Sequence, residues 1–321
     1  MRRTSGFTLT ELLIAMLLAL FLLSMVLTAF SSLSRSVRQA QQLSELQQNA
    51  QLVMSLFQNE LTNTGFWGGR ADPMLAVASP MPASPAPDCV EDTLDSGSFP
   101  QAGRNFVTLY ASRTAAGRQL NCITQTIPDS ELLQVKRLVG QLAMPTEMRQ
   151  NRFYLETDWQ HSRFVDSSSH GLNAAYDYFP YQHLVFYLQL QRVDGNTVPV
   201  LMRKRLARNQ AGSATISTDS VLDGVERMHF EFGVDTNLNG QLNYFLPTQQ
   251  MAADFWWQKN SRIISIRYYV LLRARQPDPG YINNQHYDMG GSEFIAPGDH
   301  YRRLLVSSSI FFQNAALQEG S

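Results

Sequence analysis

The sequence predicts an α+β protein: one extended N-terminal helix followed by a mainly antiparallel β-sheet domain. Three observations predict it. Residues 12–30 carry no charge and no Gly or Pro, and these nineteen residues match the ~20 that a helix needs to cross a bilayer. Leu33, Val37, Ala40, Leu43, Leu46, Ala50, Val53, Phe57 and Leu61 then follow at steps of three or four, the spacing of one helix face. Beyond residue 105 the pattern changes to short apolar runs with partial alternation, the period of strands.

The helix comes first. Nothing between Phe7 and Thr64 is Gly or Pro, so it is expected to run unbroken over 7–64 and to stop at Gly65. Over Phe7–Thr62 that is roughly 84 Å at 1.5 Å per residue. The stripe after Leu33 is expected to pack under a globular domain; a coiled coil is the competing reading, with a register that is not strict. A cleaved secretory signal would want a shorter apolar core and a small-residue cleavage site, and Thr28-Ala29-Phe30 is a poor one.

A single charge, Glu11, stands at the mouth of the span. A carboxylate at bilayer depth is costly and usually finds a partner. The other reading is a helix-start carboxylate favoured by the macrodipole, at only ~0.3–1 kcal/mol. Arg2 and Arg3 precede the span and Arg35 and Arg38 follow it, so charge favours an inside N-terminus only slightly.

Residues 65–104 read as a Pro-rich loop region. Six of the fourteen prolines lie in 71–103, with Asp72, Asp88, Glu91, Asp92 and Asp95 and no Lys or Arg. Such composition resists regular structure and predicts a solvated loop pinned by Cys89; an acidic docking surface is the sharper alternative. The body, 105–321, follows. Strands are expected at Phe106–Ala111, Leu132–Leu138, Phe153–Glu156, Leu184–Val193, Val198–Arg205, Met228–Val234, Ile263–Arg273 and Leu304–Phe312. Asp194-Gly195-Asn196 is a strong hairpin signal between the fourth and fifth. The stretch 140–182 shows no clear pattern.

A net charge of −1 points away from nucleic acid as a partner. Cys89 and Cys122 lack the paired spacing of a zinc site. If the domain lies outside the cytoplasm they read as a disulfide, stabilising by roughly 3–4 kcal/mol in the chain-entropy model; two free buried thiols are the alternative. The six histidines form no His-Glu-x-x-His pair, and Asp166, Ser168 and His170 read as a polar loop, so no enzyme is expected. The paired Trp256 and Trp257 read as core, with a contact surface for another subunit as the alternative.

One stretch points to a ligand. In "DTNLNGQLNYF", Asp235, Asn237 and Asn239 alternate and Gly240 permits a sharp turn; Gln241 offers a backbone carbonyl and Asn243 a side chain. This resembles the first nine positions of an EF-hand calcium loop. Leu246 stands where the bidentate Glu belongs, so any calcium affinity is expected to be weak. The bland reading is an Asx-turn loop between two strands.

The N-terminus "GFTLTELLIAM" resembles the class III leader and mature start of type IV pilins and type II secretion pseudopilins. A short basic leader (1–6) ends at Gly6, Phe7 follows as first mature residue, and Glu11 is the fifth. The resemblance implies a pilin-like fold, cleavage after Gly6 by a prepilin peptidase and methylation of the Phe7 amine. It implies that Glu11 pairs with a Phe7 amine and aligns subunits. Major pilins often break this helix with Gly and Pro; here those positions hold Leu20 and Thr28. "NTGFWGG" (Asn63–Gly69) and the C-terminal "RRLLVSSSIFFQNAAL" are similar to PilW-type minor pilins, which often carry a more acidic loop near residue 235. The expectation is a minor pilin that primes type IV pilus assembly at or near the tip. Its implied partners are other minor and major pilins, the inner-membrane assembly machinery and membrane lipid. Its implied place is the inner membrane, with the C-terminal domain in the periplasm, and then the filament. A minor pseudopilin of a type II secretion system and a tip adhesin are the competing readings.

Overall fold

A computed structural model describes residues 8–69, 81–101, 104–158, 161–193 and 195–316. The leader, Gly6 and Phe7 lie outside them, as do residues 70–80 of the Pro-rich stretch and Asp194. Helix α1 runs without a break from Leu9 to Leu61, 53 residues or about 80 Å. Thr8 caps its start, and a turn closes its end, where Gly65 takes φ +82° and the Phe66 N–H donates to Asn63 O (3.1 Å). That left-handed φ is the reason for Gly just past the helix.

The strands in chain order are β1 (Leu109–Arg113), β2 (Glu131–Leu138), β3 (Phe153–Thr157), β4 (Ser162–Val165), β5 (Asp177–Val193), β6 (Asn196–Arg208), β7 (Ala214–Asp223), β8 (Val225–Asp235), β9 (Tyr244–Pro247), β10 (Arg262–Arg273), β11 (His286–Asp288), β12 (Glu293–Ile295) and β13 (Arg303–Phe311). A short helix α2 (Ala253–Trp257) precedes β10. Every pairing between these strands is antiparallel. Strands β1 to β7 form one sheet and β13-β10-β8-β9 a second, while β11 and β12 make a small hairpin.

Strand β5 organises the first sheet. Tyr181 pairs with both Leu138 of β2 and Phe153 of β3, and Leu184 pairs with both Val135 of β2 and Arg205 of β6. One edge of β5 therefore takes β2, and the other is shared end to end by β3 and β6. The β5–β6 hairpin closes on Val193–Asn196, with Gly195 at φ +80°. At Gly224 the chain passes from β7 in the first sheet to β8 in the second. A Cβ there would lie 2.6 Å from Arg273 O, so the crossing requires glycine.

The two sheets and α1 share one core. Leu46, Ala50, Val53, Phe57 and Leu61 are buried on the helix. The Phe57 ring lies 5.6 Å from Phe186 of the first sheet, and 6.1 Å and 5.0 Å from Phe230 and Tyr268 of the second. Buried polar pairs fix the assembly. Glu60 of α1 pairs with Arg137 and lies 3.6 Å from Arg203, both in the first sheet. Glu131 of β2 accepts from the Phe230 N–H (2.8 Å) and Thr248 Oγ1 (2.7 Å) and pairs with His229 Nδ1 (2.7 Å), joining the sheets.

Several expectations need correction. Only the second half of the apolar stripe is covered by the domain; Leu33, Val37, Ala40 and Leu43 are exposed, because the body begins near Gln42. The segment 81–101 is not a solvated loop: Leu94, Asp95, Ser96, Ser98 and Phe99 are buried. It lacks regular structure but packs on the first sheet, and it supplies Phe99 to a ring cluster with Phe153, Phe164 and Tyr181. The stretch 140–182, where only the strand at Phe153–Glu156 is expected, holds β4 and the start of β5 besides β3. Trp256, by contrast, is core as expected, 4.9 Å from the Phe232 ring and 5.3 Å from that of Tyr110.

Candidate assembly interface

The first ten turns of α1 have almost no partner in their own chain. Residues 8–33 are exposed throughout, and the apolar window within them is long enough to cross a membrane. Its few polar side chains are satisfied inside the helix. Ser24 Oγ donates to Phe21 O (2.8 Å), Thr28 Oγ1 to Ser24 O (2.8 Å) and Ser31 Oγ to Thr28 O (2.9 Å). These hydroxyls are satisfied within the helix, as a lipid environment requires.

Glu11 takes the helix-start role. Its carboxylate accepts from the Thr8 N–H (2.9 Å) and Thr8 Oγ1 (2.9 Å), and the Glu11 N–H donates to Thr8 Oγ1 (3.3 Å). This is a capping box, satisfying two orphan groups of the first turn. Glu11 is exposed, and its expected partner Phe7 lies outside the described residues. In a chain that still carries its leader, Phe7 has an amide and no charged amine, so the cap is the partner at hand.

The other candidate residues fall elsewhere. Cys89 and Cys122 form a buried disulfide tying 81–101 to the body, with their Cα atoms 4.8 Å apart. In the Asp235 loop the buried carboxylate accepts from the N–H groups of Asn237 (3.2 Å), Asn239 (3.3 Å) and Gly240 (2.7 Å). Asn239 Oδ1 accepts from the Gln241 N–H (2.9 Å), and Asn243 Oδ1 from the Thr236 N–H (2.7 Å) and Thr236 Oγ1 (3.0 Å). The side-chain oxygens of Asp235, Asn239 and Asn243, three of the five groups expected to face a cation, thus face donors of the loop. With one carboxylate, the donor set fits nested Asx turns better than a calcium cage. Asp166 Oδ1 accepts from the Ser168 N–H (2.7 Å) and Oγ (2.6 Å), another Asx turn. Its other oxygen lies 3.2 Å from Arg208, and His170 is exposed.

A buried polar cluster beside the disulfide went unread in the sequence. Lys136 is fully buried, donates to Val107 O and lies 4.6 Å from the Phe106 ring centre. Burial lowers its amine to about 7 against the pull of Asp88 and Asp95. Burial also holds His183 well below its usual range, with the charge on Lys136 adding to the effect. The His183 ring lies between Ser98 Oγ (2.9 Å) and Gln134 Nε2 (2.7 Å). The only signal for this cluster was the charged residue within the strand pattern of 131–138, which gives no hint of its partners.

With this geometry in view, two family profiles match the chain. The prokaryotic N-terminal methylation motif covers residues 1–27, and type IV pilus-assembly protein W (PilW) covers residues 185–314. The chain matches a PilW-type prepilin. The first match holds the leader, Glu11 and most of the span; the second runs from within β5 past β13 and so takes in the whole second sheet. No curated protein and no solved structure matches the chain. The PilW match gives the chain a pilus-related role, and the methylation motif with its apolar helix ties that role to membrane anchoring. The stretch Asn63–Gly69 lies outside both matched ranges.

Proposed function

We propose that this PilW-type chain is a minor pilin that primes type IV pilus assembly from the inner membrane and stays at or near the filament tip. One observation carries the reading. A single straight helix gives its last turns to the core of the body and leaves the preceding ~50 Å without cover. A subunit built this way completes its burial with lipid first and with the helices of other pilins afterwards. The exported domain would lie in the periplasm, where the Cys89–Cys122 disulfide is stable.

Processing would supply the missing charge. Cleavage after Gly6 creates the Phe7 amine, and Glu11 then exchanges part of its capping role for an ion pair, in its own subunit or a neighbour. The PilW match over residues 185–314 supports the pilus over a secretion pseudopilus; loss of secretion with normal pili on deletion would reverse that choice. N-terminal mass spectrometry of the membrane-extracted protein is expected to find methylated Phe7 as the first residue. Glu11→Val is expected to insert into the membrane normally and to cut surface piliation severely. Normal piliation in that variant would remove the alignment role, and gold labelling along the shaft instead of at the end would remove the tip position.

A further inference from the structure

Where α1 enters the body, a groove of about 770 Å³ separates it from the domain. One wall is helix, from Arg35 and Arg38 to Gln42 and Glu45; the other is the β5–β6 hairpin end and the loop from Arg275 to Gly280. Gln42 Nε2 bridges the walls to Gln276 O (3.2 Å). Its Arg35 end is the end nearer to the apolar segment along α1.

Its charges are unevenly used. Asp278 is held by Arg302 through Nε (3.1 Å) and Nη2 (2.8 Å), and Arg275 pairs with Asp223 (3.4 Å). Glu45 lines the groove at the end farther from the span. Among the described residues, Arg35 and Arg38 form no ion pair within 4 Å and both are exposed; the charge on Arg38 reaches Asp278 only at longer range, adding a little to the hold of Arg302. They are three residues apart on one helix face. The apolar run ends at Phe30, so the two arginines stand about 7.5 Å and 12 Å beyond it. The headgroup layer is roughly 5–8 Å deep on each side of the hydrocarbon. Helical side chains lean toward the N-terminus, so Arg38 leans back toward that layer.

We propose that this groove holds the phosphate of one anionic phospholipid, through Arg35 and Arg38, while the subunit is docked in the bilayer. The lipid would fix the depth and tilt of α1 and be given up when the subunit enters the filament. The proposal rests on the reading of residues 12–30 as a membrane span.

The test uses the full chain in nanodiscs of phosphatidylcholine alone or mixed with phosphatidylglycerol, released for native mass spectrometry to count retained lipid. One phosphatidylglycerol per chain is expected in preference to phosphatidylcholine. The double variant Arg35→Gln/Arg38→Gln is expected to weaken that retention roughly 30-fold. Arg192→Gln removes an exposed charge at the same end but outside the groove, and is expected to retain the lipid. Equal retention of the two lipids, no effect of the double variant, or an equal loss with Arg192→Gln would each overturn the site. Complete displacement by excess inorganic phosphate would make it a free-anion site and overturn the lipid assignment. A wild-type chain that fails to enter phosphatidylcholine nanodiscs overturns the span as well. That outcome is distinct from a chain that enters and retains no phosphatidylglycerol.

Discussion

Leu43 and Leu46 lie one turn apart on α1, yet Leu43 is 44% exposed and Leu46 only 2%. The helix changes its surroundings between them. Below Leu43 its apolar side chains meet nothing in the chain; from Leu46 upward they are the centre of a core shared by two sheets. Within the stripe that starts at Leu33, the exposed part (Leu33, Val37, Ala40, Leu43) and the buried part (Leu46, Ala50, Val53, Phe57, Leu61) carry the same kinds of apolar residue at the same helical spacing. Composition and period alone therefore fail to tell a face that its own domain covers from one that another molecule must cover. What distinguishes the halves is the polar side chains: Glu60 and Asn49 reach into the body from the upper half, while Ser24, Thr28 and Ser31 bond back to the helix below.

The largest expected effect tests this contrast directly. Phe57→Ala removes the ring that touches both sheets and should cost about 4 kcal/mol, the cavity-forming range for a buried Phe. Phe21→Ala, in the exposed half, should leave the unfolding of the body unchanged. Urea titration of the full chain in detergent, followed by tryptophan fluorescence, measures both. Equal losses would show that the lower half contributes to the body after all.

A smaller effect is expected at the Asp235 loop. Asp235→Ala leaves three backbone N–H groups without their buried carboxylate, which should cost about 2–3 kcal/mol. Calcium at millimolar concentration should leave the Tm of the wild-type chain unchanged, since the oxygens of Asp235, Asn239 and Asn243 already accept from the loop. A calcium-dependent rise in Tm that Asp235→Ala abolishes would instead make the loop a metal site.

The buried amine of Lys136 gives the body a pH dependence of its own. Its folded pKa of about 7 lies below the ordinary lysine value of 10.5. Between the two, the unfolded chain holds a proton that the folded chain does not, so stability should rise as pH increases from 7. The slope is at most about 1.4 kcal/mol per pH unit. Tyr181, kept protonated by burial above its ordinary 10, turns the trend over beyond pH 10. Lys136→Met should flatten the rise between pH 7 and 10, as read from urea midpoints. A rise that persists in the variant would assign it to another group.

How much of this was legible follows the range of the interactions. The helix was readable almost to the residue, because its signals are local: an unbroken run without Gly or Pro, and Gly65 at the stop. The β5–β6 hairpin was readable from its turn. Strand β7 was not, because an edge strand such as "ATISTDSVLD" has no fully buried face to impose alternation. The packed segment 81–101 misled for a related reason. Its Pro content rules out regular structure but says nothing of burial, which Phe99 and the disulfide enforce through partners far along the chain. At the interface, Glu11 and the span were legible as a motif. The groove beside Arg35 was not, since its second wall lies 150 or more residues away in sequence.

The smallest expected effect on folding completes the contrast. Leu43→Ser changes an exposed position outside the shared core, so the body's stability should move by less than about 0.5 kcal/mol. If this half of α1 is destined for cover by neighbouring pilins, the same substitution puts a hydroxyl into that packed face and removes the apolar area a neighbour would bury. Piliation should then fall although urea midpoint, membrane insertion and processing at Gly6 are unchanged. The combination is diagnostic, because a defect confined to assembly cannot come from an unstable subunit. Unchanged piliation would mean that the exposed face above the span stays exposed in the filament, and that only the span and Glu11 are shared with neighbours.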